Sequence, residues 1–177
     1  HGKKSTRSFM LDVVIALLPA TIAGCVIFGL RALLVVAVAI ASCVASEAIF
    51  NLILKRKQTI DDFSAIVTGL LLALNLPANI PLWQVVVASI FAIIVVKCIF
   101  GGLGCNIVNP AITARVFMLV AFGSMTTQAF PKNLDSVSGA TPLAELANGT
   151  TPDRMDLFLG NVGGAIGETG SLALLIG

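Results

Sequence analysis

Three groups of residues in this chain have types and spacing suited to chemistry. The first is Asp135-Ser136-Val137-Ser138-Gly139-Ala140-Thr141, followed by Pro142, in the polar and turn-rich interval 123–156. Its hydroxyls can accept a transferred group, and small neighbours leave Thr141 open to approach, although Ser-Gly-Ala-Thr-Pro is also an ordinary turn on composition. The second is Glu168, in an otherwise apolar, glycine-rich stretch. A carboxylate there is costly and is by default an ion- or proton-handling candidate; the structural alternative is a cap on a helix break, with Thr169 as partner. The third is the pair Asn106 and Asn109, whose amides can bind a ligand edge or cap a helix. Asn109-Pro110 reads as a helix start, with Asn at the N-cap and Pro at the first helical position, where its missing N–H is not needed.

The remaining polar residues offer less. Glu47 and Asp12 read as structural, near predicted helix ends or in a bundle interior. Cys25 and Cys43 sit in apolar runs as small packing residues. Cys98 and Cys105 flank Gly101-Gly102-Leu103-Gly104 at a spacing that suits no familiar zinc site, so no metal site is assigned. A cluster ligand shared with a neighbouring protein is the alternative for these two. No catalytic side chain is assigned.

The elements that must position these residues are helices in lipid. Apolar residues make up 57% of the 177-residue chain and charged residues 11%, and the mean hydropathy is +1.00. Soluble proteins average about 45–50% apolar and about 25% charged, so this chain has too little charge to cover a water-facing surface. The net charge of +2 and the lack of a basic, aromatic-interleaved stripe exclude a general affinity for nucleic acid. Apolar runs cover 13–30, interrupted by Pro19, which should kink the helix, then 32–54 with Glu47 inside it, and a short third segment ending at Leu76. They continue over 82–100 with Lys97 near the end, from Asn109 to about Phe122, and over 157–176. The predicted fold is all-α and polytopic, with about six spans or half-spans in one membrane domain over 1–177. Asp61-Asp62 should start the third segment. That segment is short for a full span: it is either tilted, or a helix that stops part-way and is completed by irregular backbone buried in protein. Trp83 reads as an interfacial anchor. Gly160/Gly164 and Gly163/Gly167 have the spacing of close helix packing; with no strand before them they do not form a dinucleotide fingerprint. The start at His1 and the stop inside an apolar run lead us to expect the N-terminal part of a longer chain.

Positive-inside counting places the N-terminus in the cytoplasm. Lys3, Lys4, Arg7, Lys55, Arg56, Lys57, Lys97 and Arg115 then fall at inside ends, against Arg31, Lys132 and Arg154 outside. The 123–156 loop should therefore face away from the cytoplasm.

Asp135-x-x-Ser138-Gly139-Ala140-Thr141 resembles the Asp-x-x-[Ser/Thr]-Gly-Ala-Thr pattern recognised by flavin transferases, which join FMN through its phosphate to the final Thr hydroxyl. The segment from Asp62-Phe63-Ser64 to Leu76-Pro77 resembles the D component of the ion-translocating Rnf electron transport complex and its sister, the B component of the sodium-pumping NADH:quinone reductase (the NqrB/RnfD family). So do Gly101-Gly102-Leu103-Gly104-Cys105-Asn106-Ile107-Val108-Asn109-Pro110-Ala111 and Gly163-Gly164-Ala165-Ile166-Gly167-Glu168-Thr169. The resemblance implies the first part of a urea-channel-like fold in a bacterial or archaeal cytoplasmic (inner) membrane. It implies a flavoprotein component of a translocase that couples electron flow between ferredoxin and NAD⁺ to Na⁺ or H⁺ transport, without turnover of its own. Thr141 would carry FMN as a phosphoester, with Asp135, Ser138, Gly139 and Ala140 as the recognition motif. A second, non-covalent flavin, with riboflavin as the candidate, would meet Asn106 and Asn109. The implied partners are the A, B, C, E and G components of the Rnf complex, a flavin transferase, lipid, and ferredoxin and NAD indirectly. Family members continue through further helices that this sequence lacks.

A channel or transporter for a small solute or ion is the rival class. Asn109-Pro110-Ala111 is similar to the aquaporin triplet, but aquaporins need two triplets meeting at the membrane centre and one is present. The flavinylation motif favours the redox reading.

Overall fold

In the computed structural model, residues 6–56, 58–102, 104–122, 164–167 and 171–177 are described. Helices α1 (Thr6–Phe28) and α2 (Leu30–Ile53) are long and apolar enough to cross a membrane. At 1.5 Å per residue each is about 35 Å long, more than the roughly 30 Å hydrocarbon core. α1 runs through Pro19 as a single helix. Gly29 alone separates the two helices, at φ 76°, ψ −155°, a region essentially open only to glycine. α2 closes on the carbonyls of Asn51 and Leu52, which accept from Arg56 and Lys55. This is a Schellman end with Lys55 in the left-handed position usually held by glycine.

A 3₁₀ turn, Ile60–Asp62, leads into α3 (Ser64–Leu74). The expected acidic start takes the form of Asp62 Oδ1 accepting from the Ser64 amide at 2.8 Å and from its hydroxyl. α3 covers only about 16 Å. The irregular stretch after it is buried, with Leu76, Ala78 and Ile80 at 0%, 4% and 1% exposure. α4 (Leu82–Cys98) then returns, with its second half, Phe91–Cys98, wound as a π-helix. α5 (Pro110–Ala121) and α6 (Ser171–Ile176) complete the described helices.

Contacts at the two ends of α2 define the crossings. Near its C-terminal end, Glu47 meets Lys97 of α4 and, through Lys97, Ser64 of α3. At its N-terminal end, the Arg31 guanidinium donates to the Ile80 carbonyl at 3.5 Å. These ends are about 24 Å apart along the helix. Residues 64–80 therefore run from one end to the other, part helix and part irregular chain, and α4 runs back. The short helix and the irregular chain after it together cover the length of the bundle, and the non-helical part is enclosed by protein. α1 begins at the Glu47 end, where Arg7 lies over the Phe63 ring at 5.2 Å. α5 ends at the other end, where Phe122 meets Trp83 edge-on at 5.3 Å.

Small residues let these helices touch. A Cβ on Gly69 of α3 would sit 2.8 Å from the Ile40 Cα of α2, so the two backbones are in contact there. Ala32, Val35, Val36 and Ala39 of α2 form the core with Leu70, Leu72, Ala73 and Leu76. Facing outward, Val26 (75% exposed) and Val120 (83%) present apolar surface suited to lipid. The chain is an all-helical membrane protein.

Candidate functional site

The sequence places Lys97 in one apolar run and Glu47 in another, and the fold brings them together. Val85, Ser89, Ile93 and Lys97 are all buried and recur every four residues. In a pure α-helix of 3.6 residues per turn such a row drifts by about 40° per step. The wider turn of the π segment offsets that drift and keeps Lys97 facing α2. Ser89 secures the same face, its hydroxyl donating to Val85 O at 2.8 Å.

The Lys97 ammonium donates to both Glu47 carboxylate oxygens at 2.9 Å and to Ser64 Oγ at 2.6 Å, so all three N–H groups are used. Both charged side chains are buried, 3% and 2% exposed. The network continues in both directions. Thr59 Oγ1 donates to Glu47 and accepts from Asn51 Nδ2 at 3.1 Å. On the far side, Ser64 passes its hydrogen to Asp62. Taking two charges out of water is repaid only with good geometry and further hydrogen bonds, and here the Ser64 hydroxyl supplies one to Lys97 and the Thr59 hydroxyl one to Glu47.

Two cavities flank the pair. One, of about 250 Å³, is lined by Glu47, Asn51, Arg56, Thr59, Asp62, Cys98, Gly101 and Gly102. The other, of about 230 Å³, is lined by Met10, Ser64, Val67, Thr68, Leu71, Lys97, Asn106, Asn109 and Pro110. Glu47 lines the first and Lys97 the second, so the salt bridge joins a residue of one lining to a residue of the other.

Asn106 and Asn109 thus lie on one cavity wall. Asn109 Oδ1 also caps α5, accepting from the Ala111 amide at 3.0 Å. The Asn106 amide, with its nitrogen turned toward α4, donates to Lys97 O at 3.2 Å and to Gly102 O at 3.3 Å. Both therefore have structural duties as well as a place at the cavity. Asp135, Ser138, Gly139, Ala140, Thr141 and Glu168 lie outside the described residues. Cys43 is fully buried in the core, Cys98 is buried, Cys25 half-buried and Cys105 exposed, all as free thiols. Among the described residues no three acidic, His or Cys side chains group as a metal site.

The residues that sequence reasoning missed are Glu47 and Lys97 as a pair. In sequence Glu47 reads as structural and Lys97 as a flanking charge; the signal is two lone, opposite charges in separate apolar runs. Lys97 is tied into the bundle, as is Arg115, which donates to Asn75 Oδ1 at 3.1 Å.

The model of the NQR2, RnfD, RnfE family matches residues 1–177. The chain belongs to that family. Among its relatives, the D component of the Na⁺-translocating ferredoxin:NAD⁺ oxidoreductase complex of Acetobacterium woodii is 51% identical, over 100% of this chain and 58% of its own length. The D component of the proton-translocating ferredoxin:NAD⁺ oxidoreductase complex of Clostridium ljungdahlii is 36% identical, over 98% of this chain and 57% of its own. The B component of the Na⁺-translocating NADH-quinone reductase of Pseudoalteromonas atlantica is 40% identical, over 69% of this chain and 32% of its own. The chain spans just under three fifths of the length of the two D components. All three relatives are named as subunits of ion-translocating oxidoreductases.

Proposed function

We propose that this chain belongs to the D component of an ion-translocating ferredoxin:NAD⁺ oxidoreductase (Rnf) complex, carrying FMN as a phosphoester on Thr141. The observation that carries this reading is Asp135-x-x-Ser138-Gly139-Ala140-Thr141 in a chain 51% identical to such a protein. A flavin supplies the redox chemistry that side chains lack, and the protein supplies position and electrostatics. In this reading electrons pass between ferredoxin and NAD⁺ through the other components of the complex, A, B, C, E and G, and the flow is coupled to Na⁺ or H⁺ movement across the cytoplasmic membrane. A flavin transferase working outside the cytoplasm attaches the FMN. The end-to-end arrangement supports that side: Arg7 lies at the Glu47 end of the bundle, and Phe122, the last described residue before Thr141, lies at the opposite end beside Trp83.

The same proposal assigns the cavity of Lys97, Asn106 and Asn109 to the second, non-covalent flavin. Its polar lining from Ser64, Thr68 and the two amides fits the heteroatom edge of an isoalloxazine ring. At about 230 Å³ it is smaller than the roughly 300–1,000 Å³ of sites that enclose a drug-sized ligand, so it would seat a ring edge and not the whole molecule. With Asn109 Oδ1 taken up by the helix cap, Nδ2 is the atom it would offer. Glu168 remains the candidate for the ion pathway.

The test is a denaturing gel of the protein produced with its native maturation system. Covalent flavin fluorescence should run with the band and vanish in Thr141→Ala while the protein still inserts. Fluorescence retained in the variant would refute the attachment site, and a dark wild-type band would favour a channel.

A further inference from the structure

Cys98 and Cys105 stand on either side of one tight turn. Cys98, the last residue of α4, is 6% exposed and lines the Glu47 cavity together with Gly101 and Gly102. Cys105 is exposed, and both are free thiols. The Gly101 amide donates to Cys98 O at 3.2 Å, the Gly102 amide to Lys97 O at 3.0 Å and the Cys105 amide to Gly102 O at 3.2 Å, so the chain doubles back on the end of α4. A Cβ on Gly101 would lie 3.4 Å from Cys105 Sγ. Gly101 is therefore the neighbour of both cysteines. Gly101, Gly102 and Gly104 have φ of 111°, 92° and 86°, and glycine moves between such conformations and negative φ at little cost. A Cβ at Gly102 or Gly104 would meet nothing within 4 Å, so the turn has room to refold. Asn106 tethers it, its amide donating to Val96 O at 3.3 Å and Lys97 O at 3.2 Å.

We propose that Cys105 and Cys98 are a dithiol modification site that a hydroperoxide closes to a disulfide and a small-molecule thiol reopens. Exposure sets the order of events. The Cys105 sulfur attacks one oxygen of hydrogen peroxide and the O–O bond breaks, giving Cys105 sulfenic acid and one water. The Cys98 sulfur then attacks the Cys105 sulfur; the S–S bond forms, the S–O bond breaks and a second water leaves. The two thiols lose two electrons and two protons, and the peroxide takes up both. Thiol–disulfide exchange with two equivalents of a small-molecule thiol returns both cysteines to the reduced form, as suits the end of the bundle that the proposed orientation puts in the reducing cytoplasm. A disulfide needs Cα atoms within about 7 Å, and the three glycines let the turn close to meet that limit. Closure draws Cys98 from the wall of the Glu47 cavity and Asn106 from the wall of the Lys97 cavity, so one oxidation reshapes both. The inference stands whether or not a flavin occupies either cavity.

Trypsin cuts after Lys97 and Arg115 and so releases both cysteines on one peptide, 98–115. The purified complex, freed of reductant, is treated with hydrogen peroxide, quenched in acid, denatured, alkylated and digested. The wild-type peptide should appear two hydrogens lighter and unalkylated, and dithiothreitol added before alkylation should restore two labelled thiols. In Cys98→Ser, Cys105 should accumulate as a sulfenic acid that a cyclic 1,3-dione traps. In Cys105→Ser, a change at an exposed position, Cys98 should stay reduced and take the label after denaturation; this variant and the wild type carry the test if Cys98→Ser fails to fold. A wild-type peptide that keeps both thiols, or that gains oxygen on Cys105 while Cys98 remains free, would overturn the proposal, as would peroxide oxidation of Cys98 in Cys105→Ser.

Discussion

The amide of Gly167 donates to the carbonyl of Leu74 at 2.9 Å, and the amide of Ile166 to Leu76 O at 3.1 Å. α3 ends inside the bundle, at the buried Leu74, where its last carbonyls have no helical partner. A segment distant in sequence supplies the donors. The approach needs glycine, because a Cβ at Gly167 would lie 2.8 Å from the Leu74 Cβ. Gly167→Ala should therefore lower stability in detergent by about 1–3 kcal/mol, the usual cost of overpacking, measured as a fall in the thermal unfolding midpoint.

The Glu47–Lys97 pair predicts a strongly non-additive cycle. Lys97→Met alone leaves a buried carboxylate without its partner and should cost about 3–5 kcal/mol. Glu47→Leu combined with Lys97→Met should recover most of that loss. Chemical denaturation of the four proteins gives the coupling energy, and additive losses would count against the buried pair.

Gly29 sets the reversal between α1 and α2 in a conformation that other residues scarcely reach. Gly29→Ala should cost about 1–3 kcal/mol. Protease sensitivity at the α1–α2 junction and the unfolding midpoint should both report it.

The Asn109 cap gives a milder test. Asn109→Ala removes the acceptor for the Ala111 amide and should cost about 1 kcal/mol, while Asn109→Asp should keep the cap. Loss of acid-released flavin in both variants would assign Asn109 a ligand contact through Nδ2, separate from its capping role.

Sidedness can be measured directly. A cysteine introduced near Lys132 should react with an impermeant thiol reagent added to intact cells, and one placed near Lys55 should react only after lysis. The opposite pattern would reverse the proposed orientation.

The sequence showed most of the helices because each is a run of apolar residues bounded by charge, glycine or proline. It also showed that the third segment was short for a full span, since residues before Pro77 are simply few. What it hid was pairing across the bundle. Glu47 and Lys97 carry no local signature, and each alone resembles an ordinary boundary charge; only the packing of α2 against α4 makes them partners. The π segment was invisible for a similar reason, because its winding follows from which side chains α4 must bury and not from its own residue preferences. Asn109 was legible as a cap from Asn-Pro alone, whereas its shared cavity with Lys97 depends on where the 101–109 connection folds back.

The broken end of α3 also bears on how the chain is made. During translation, Leu74 waits about 90 residues before Gly167 can reach it, roughly 5–20 s at 5–20 residues per second. Over that interval the Leu74 and Leu76 carbonyls lack the Gly167 and Ile166 donors, so the nascent bundle must shelter them with another polar surface until the downstream segment arrives.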